Sequence, residues 1–112
     1  MAVVENLWLV DFDRAAVMDL EDVKSRGDRK AVFSAIDKLE YFGPRLSSPN
    51  MKSLKGAADL FELRPKQGRC AVRLIYARNG RRFVVLAVAP NKGGFDRALD
   101  RARKRLERRK CV

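Results

Sequence analysis

From Asp59 to Lys92 the chain alternates at first and then carries two β-rich apolar runs, and DLFELRPKQGRCAVRLIYARNGRRFVVLAVAPNK reads as three consecutive antiparallel strands. Asn79-Gly80 lies between two β-rich runs and suits a two-residue type I′ hairpin turn, because both central positions of that turn take φ > 0. With Arg78 and Arg81 flanking the turn, Ala77 would pair with Arg82, Tyr76 with Phe83, Ile75 with Val84, Leu74 with Val85 and Arg73 with Leu86. Upstream, the run Leu60 to Arg64 sends Phe61 and Leu63 to one face and Leu60, Glu62 and Arg64 to the other. Pro65 stops that strand, and Lys66-Gln67-Gly68 links it to the next. Arg73 is a charge inside an otherwise apolar run, Cys70 to Tyr76, and its position needs a reason.

The N-terminal half carries a different period. Residues from about Asn6 to Phe12 form a short apolar strand with Trp8 and Phe12 as its bulk. Asp13 is placed to cap a helix running through Ala15, Ala16, Val17 and Met18 to about Ser25, where Gly27 breaks it. Asp28 then caps a second helix, whose apolar stripe is Val32, Ala35, Ile36, Leu39 and Phe42. Gly43-Pro44 ends that helix. A loop from Arg45 to Gly56 follows and brings Lys52 and Lys55 to the entrance of the second strand. After the sheet, Gly93-Gly94 acts as a hinge, and Phe95, Ala98, Leu99, Ala102 and Leu106 form the stripe of a last helix. Its other side carries Arg97, Arg101, Arg103, Lys104, Arg105, Arg108, Arg109 and Lys110. The order β-α-α-β-β-β-α predicts an α+β domain, a helical hairpin packed on a twisted antiparallel sheet.

At 112 residues the chain is expected to form one domain, 1–112, with a single modest core. Charge narrows the function more than length does. With 25 Lys and Arg against 14 Asp and Glu, the formal charge of +11 favours nucleic acid, the ribosome, an anionic membrane or an acidic partner. The plainer reading is a solvated basic surface. Cys70 and Cys111 do not make a disulfide framework, and the absence of histidine and of a CxxC pattern argues against a metal site. No signal peptide and no apolar run long enough to span a bilayer is visible, so a cytoplasmic protein without membrane contact is expected.

Each of the two N-terminal helices has one stripe, so together they need one face of the sheet, which Phe61 and Leu63 suit. The other face then shows Glu62, Arg64 and Arg73 above an apolar floor of Ile75 and Leu86. These charges could equally be a cross-strand ion pair of small energetic value.

Lys52-x-Leu54-Lys55-Gly56, then Leu60-Phe61-Glu62-Leu63-Arg64, then Arg73-Leu74-Ile75-Tyr76, then the final strand and Lys92, resemble the RelE/ParE toxin superfamily, in particular its HigB-like, phage-derived branch. The resemblance runs from about Leu39 to Leu106. It implies a RelE-like fold and a toxin of a type II toxin–antitoxin pair, an endoribonuclease that cuts mRNA in the ribosomal A site and inhibits translation, with no metal or other cofactor. In that chemistry the RNA 2′-hydroxyl attacks its adjacent phosphate, and the protein supplies cations, a base and an acid. By resemblance the catalytic candidates are Arg64, Arg73 and Lys92, with Glu62 as the nearest carboxylate. Lys52, Lys55, Arg69, Arg81, Arg82, Arg97 and Arg101 are candidates for binding nucleic acid. Implied partners are a cognate antitoxin, in all expectation a small helix-turn-helix protein, and the ribosome with its mRNA. Where RelE has two lysines on the second strand, this chain has Leu60 and Glu62, and the family's basic segment after the last strand is reduced to Asn91-Lys92-Gly93-Gly94. The alternatives that share the fold are a ParE-like inhibitor of DNA gyrase and an inactive nucleic-acid- or partner-binding relative.

Overall fold

Asp13 begins the first helix as its type suggests: its carboxylate accepts from the Ala15 backbone N–H at 2.9 Å. A computed structural model describes residues 7–57, 59–65 and 70–110. It contains β1 (Leu9–Phe12), α1 (Arg14–Leu20), α2 (Arg26–Phe42), a short 3₁₀ turn (Gly43–Arg45), β2 (Met51–Ser53), β3 (Phe61–Leu63), β4 (Arg73–Asn79), β5 (Arg82–Ala89), a second 3₁₀ turn (Lys92–Gly94) and α3 (Phe95–Lys110). Asn6, at the start of the predicted first strand, lies outside the described residues.

The boundary between the first two helices differs from the sequence reading. α1 stops at Leu20, and Ser25 is the cap of α2 rather than the tail of α1, its hydroxyl accepting from the Asp28 N–H at 3.3 Å. Gly27 therefore sits inside the first turn of α2 and breaks nothing. Asp28 also lies in that turn, where its charge meets the positive end of the helix dipole. Ala31, Val32, Ala35, Ile36 and Leu39 are buried, whereas Phe42, predicted to end the stripe, is 41% exposed. The helix ends at Gly43, with φ +55°, and a Cβ at this position would overlap the Trp8 indole. Trp8 is fixed there by its backbone N–H, which donates to Glu40 O at 2.9 Å, and by a tilted contact of its ring with Phe83.

The strands form one sheet in the order β1-β5-β4-β3-β2. β1 runs parallel to β5, and every other pair is antiparallel. β2 lies within the predicted loop Arg45–Gly56; Met51-Lys52-Ser53 is too short and too polar to display a strand period. The hairpin also turns one residue later than predicted. Asn79 pairs with Arg82, and of the turn residues only Gly80 has positive φ, +63°. Positive φ at the first central position alone is the type II′ pattern, which places glycine where it costs least. Tyr76 is opposite Val85 but Ile75 is opposite Ala87, so Leu86 is the extra residue of a β-bulge.

Both faces of the sheet are covered. α1 and α2 pack over Leu63, Val72, Leu74, Tyr76, Phe83, Val85 and Val88. On the other side α3 lies over Ile75, Ala77, Val84, Leu86, Ala87 and Ala89, its buried Ala98 and Ala102 allowing close approach. Ile75 and Leu86 are thus core beneath α3, not the exposed floor predicted, because the last helix has an apolar stripe of its own to bury.

β1 covers β5 only as far as Val85. Beyond it, the backbone of β5 is met by side chains. Leu86 O accepts from Arg105 Nη1 at 2.7 Å, Val88 N donates to Asp19 Oδ2 at 3.2 Å, and Val88 O accepts from Arg101 Nη2 at 3.3 Å. Asp19 also bridges both arginines, at 2.7 Å to Arg105 and 3.5 Å to Arg101. Arg105, placed by its spacing on the solvent side of the helix, is 9% exposed.

Two outcomes follow for stability. Asp19→Ala strands the Arg105 guanidinium and should cost roughly 3 kcal/mol, against under about 1 kcal/mol for alanine at the exposed Arg82–Asp11 pair; urea midpoints at unchanged slope check the contrast. Gly43→Ala should cost roughly 2 kcal/mol or more through positive φ and the displaced indole, with an altered emission maximum from Trp8, the chain's single tryptophan.

Candidate active site

The end of β3, the start of β4 and the exit of β5 meet at one end of the sheet. Glu62 stands on β3 between Lys52 of β2 and Ile75 of β4, on the face that α3 covers further along. Its side chain is 8% exposed, and a carboxylate so enclosed requires charged partners. Two arginines provide them. Arg64 Nε donates to Glu62 Oε2, and Arg73 Nε lies 4.0 Å from the same oxygen.

Arg73 is the first residue of β4, not an interior one as the apolar run suggested. Its Nη1 donates to Val72 O at 2.8 Å and to Cys70 O at 3.3 Å. These carbonyls and Glu62 answer the question the sequence posed: the guanidinium is held at the strand's mouth, its side chain 21% exposed. Arg64 follows the last residue of β3 and keeps to the ladder through its N–H, which donates to Asn50 O at 2.9 Å; its side chain is 32% exposed. Lys92 is exposed and opens the 3₁₀ turn three residues beyond Ala89, the residue paired with Arg73. The Asn91 side chain accepts from the Gly94 N–H at 3.0 Å, so the predicted glycine hinge is a capped turn.

The other candidates separate. Lys52 is exposed on β2, and because directly opposed residues of an antiparallel pair share a face, it belongs to the row of Glu62. Lys55 is exposed in the turn after β2. Arg97 is exposed on the first turns of α3. Arg81 and Arg82 lie at the hairpin tip, about 20 Å from Arg73 at the rise of an extended strand. There Arg81 lies over the Trp8 ring at 5.9 Å and Arg82 pairs with Asp11 at 3.4 Å. Arg101 is held by Asp19 and Val88. Arg69 lies outside the described residues. The structure thus joins Glu62, Arg64, Arg73 and Lys52, with Lys92 on the adjoining turn, and places Arg81, Arg82 and Arg101 elsewhere.

A second cationic region exists at the hairpin end, a cleft of about 400 Å³ lined by Arg78, Arg82, Arg109, Lys110 and Asp11 among others. Carboxylates attend three of its cations: Arg82 has Asp11, Arg109 has Asp13 at 3.2 Å, and Lys110 has Asp59 at 3.2 Å. Tyr76 faces away from Arg73, stacked on Phe61 at 5.4 Å, and burial pushes its phenol up to about 12. It packs the core and stays protonated. Among the described residues no group of three or more His, Cys, Asp or Glu is placed to hold a metal ion, and no helix is long and apolar enough to cross a membrane. The cluster thus consists of two partly exposed guanidiniums at a strand mouth with one enclosed carboxylate between them, and a guanidinium fork is the donor geometry that suits a pair of anion oxygens.

Residues 8–110 match a family described as phage derived protein Gp49-like (DUF891). The toxin candidate HigB2 of Mycobacterium tuberculosis (strain ATCC 25618 / H37Rv) is 34% identical over 90 residues, 78% of this chain and 44% of the relative. The chain therefore spans under half the length of this curated relative. Among solved structures, the toxin–antitoxin complex RelBE2 of M. tuberculosis superposes with TM-score 0.57 at 26% identity, covering 73% of this chain and 95% of that one. The RelB–RelE antitoxin–toxin complex of Methanococcus jannaschii superposes with TM-score 0.61 at 20% identity, covering 78% and 96%. These superpositions show a shared fold, and the family match over residues 8–110 places the chain in the Gp49-like family of phage-derived proteins.

Proposed function

We propose that the protein is the toxin of a type II toxin–antitoxin pair, one toxin domain over residues 1–112, and that it cleaves mRNA in the ribosomal A site. One observation carries the reading: Arg64 and Arg73 share the enclosed Glu62 carboxylate at a partly exposed strand mouth. The 2′-oxygen attacks phosphorus as the bond to the 5′-oxygen breaks, and negative charge accumulates on the phosphoryl oxygens. Arg73 and Arg64 grip those oxygens, and Lys92 approaches from the turn beyond β5. Glu62 is a positioning residue that sets the direction of both guanidiniums. A fork held beforehand by Val72 O and Cys70 O loses little freedom when the phosphate arrives. The charge of +11 suits an acidic antitoxin face as well as RNA, and the site of action is the cytoplasm, where mRNA is translated.

Induced expression without the antitoxin should arrest growth and cut translated mRNAs within codons while plasmid supercoiling stays unchanged. Relaxed or broken plasmid with intact mRNA would favour gyrase as the target, and undisturbed growth would leave an inactive relative. Arg73→Ala should lower single-turnover cleavage about 100- to 1000-fold at a stability cost of about 1–2 kcal/mol. Arg73→Lys should recover part of the rate, since a point charge does not reproduce two parallel donors. A folded Arg73→Ala protein cutting at the parent rate removes the catalytic role.

A further inference from the structure

Charge balance at the strand mouth leaves room for a further cation. Arg64 and Arg73 bring two positive charges, but Glu62 lies against both, so the three groups together carry only one, and Lys92 adds a second from the turn beyond β5. A phosphoryl group under attack by a 2′-oxygen carries close to two negative charges in its transition state, and a further cation on the β2 side would hold the same oxygens where Lys92 does not approach them. Lys52 is positioned to be that cation. It lies directly across the β2–β3 pair from Glu62, so its Cβ stands about 5 Å from that of Glu62 and on the same face. β2 is the outermost strand of the sheet, and among the described residues no further strand shields this row from solvent. Lys52 is exposed and makes no ion pair among the described residues, although a carboxylate faces it, because Glu62 is turned toward the arginines. Its four-carbon stem lets the ammonium swing over the Glu62 row toward the strand mouth.

We propose that Lys52 completes the phosphate site, its Nζ contacting the same phosphate that Arg73 holds, an inference that rests on the cleavage reading above. The ammonium enters from the sheet edge and the guanidiniums from the strand mouth, so the phosphate is held from two sides. Lys52 needs no proton transfer for this task; its contribution is a fixed charge that a second cation can replace.

The test uses the full chain and two readouts. On ribosomes programmed with a short mRNA, Lys52→Ala should lower single-turnover cleavage about 100-fold, and Lys52→Arg should restore it to within about tenfold of the parent. With a fluorescein-labelled single-stranded oligonucleotide that lacks every 2′-hydroxyl, Lys52→Ala should reduce the slope of log affinity against log salt by about 0.7. In the same binding assay Lys52→Ala and Arg73→Ala should lose less together than the sum of their separate losses, because they share one anion. Parent-rate cleavage by Lys52→Ala, or a raised KM at unchanged kcat with additive binding losses, overturns the proposal and leaves an edge lysine that only deters strand pairing. If the parent protein leaves mRNA intact, it is the cleavage reading that fails. The binding cycle then decides Lys52 alone: non-additive losses sustain a shared phosphate site, and additive or absent losses end it.

Discussion

Among the described residues, half of one edge of β5 has no strand beside it, and the way the molecule meets those backbone groups governs how its layers fit together. β1 ends its pairing at Val85, one residue before the bulge at Leu86. A buried carbonyl left without a donor costs about 1–3 kcal/mol, and two further groups of Val88 share the same exposure. Arg105, Asp19 and Arg101 meet all three. Asp19 comes from the helix on one face and the arginines from the helix on the other, so the edge of the sheet is where the two outer layers are joined. Such a network specifies one arrangement of its parts, although Arg101 Nε is buried within it without a partner; removal of Asp19 or Arg105 leaves a charge or a carbonyl enclosed and unmatched.

The network lies on the β1 side of β5, and across the sheet from it the mouths of β3 and β4 stay open. α3 is drawn against β5 by Arg101 and Arg105, and it covers Ile75, Leu86 and Ala87 while the mouth of β4 stays partly open. Arg73 and Arg64 therefore meet solvent only beyond the rim of the helix. The arginines at the two sites differ by what lies beneath them. Arg105 is almost wholly enclosed and paired, which fits a structural task, whereas Arg64 and Arg73 share one carboxylate and remain about a quarter open, which fits a task that ends with an anion in place.

How much of this the sequence disclosed depends on the range of each signal. Period and punctuation, read over a few residues, placed β3, β4, β5 and all three helices, and located Glu62, Arg64 and Arg73 on one row. β2 was hidden because three residues with two polar side chains show no alternation. The hairpin register differs because Gly80 suits either the second central position of a type I′ turn, after Asn79, or the first of a type II′ turn, before Arg81, and its own identity does not choose. Ser25 and Asp28 are both good caps three residues apart, so local chemistry alone did not choose the start of α2. Arg105 looked like surface because its partners, Asp19 and Leu86 O, lie 86 and 19 positions away in the chain. Lys52 was legible as a basic loop residue, but its place beside Glu62 exists only once β2 pairs with β3.

The joined edge of β5 has a consequence in time. α3 follows every described strand in the chain, so during synthesis it leaves the ribosome after all of them. Until it does, Leu86 and Val88 present bare hydrogen-bonding groups, and Ile75, Ala77 and Val84 present an uncovered apolar face. The strand mouth that carries Arg64 and Arg73 is then attached to a sheet finished on one side only. Completion waits on contacts of long sequence separation, which form late and slowly relative to local ones. A nascent chain of this design reaches the ribosome's exit with its arginines already made and its scaffold not yet closed, and the emergence of α3 sets the moment at which the two coincide.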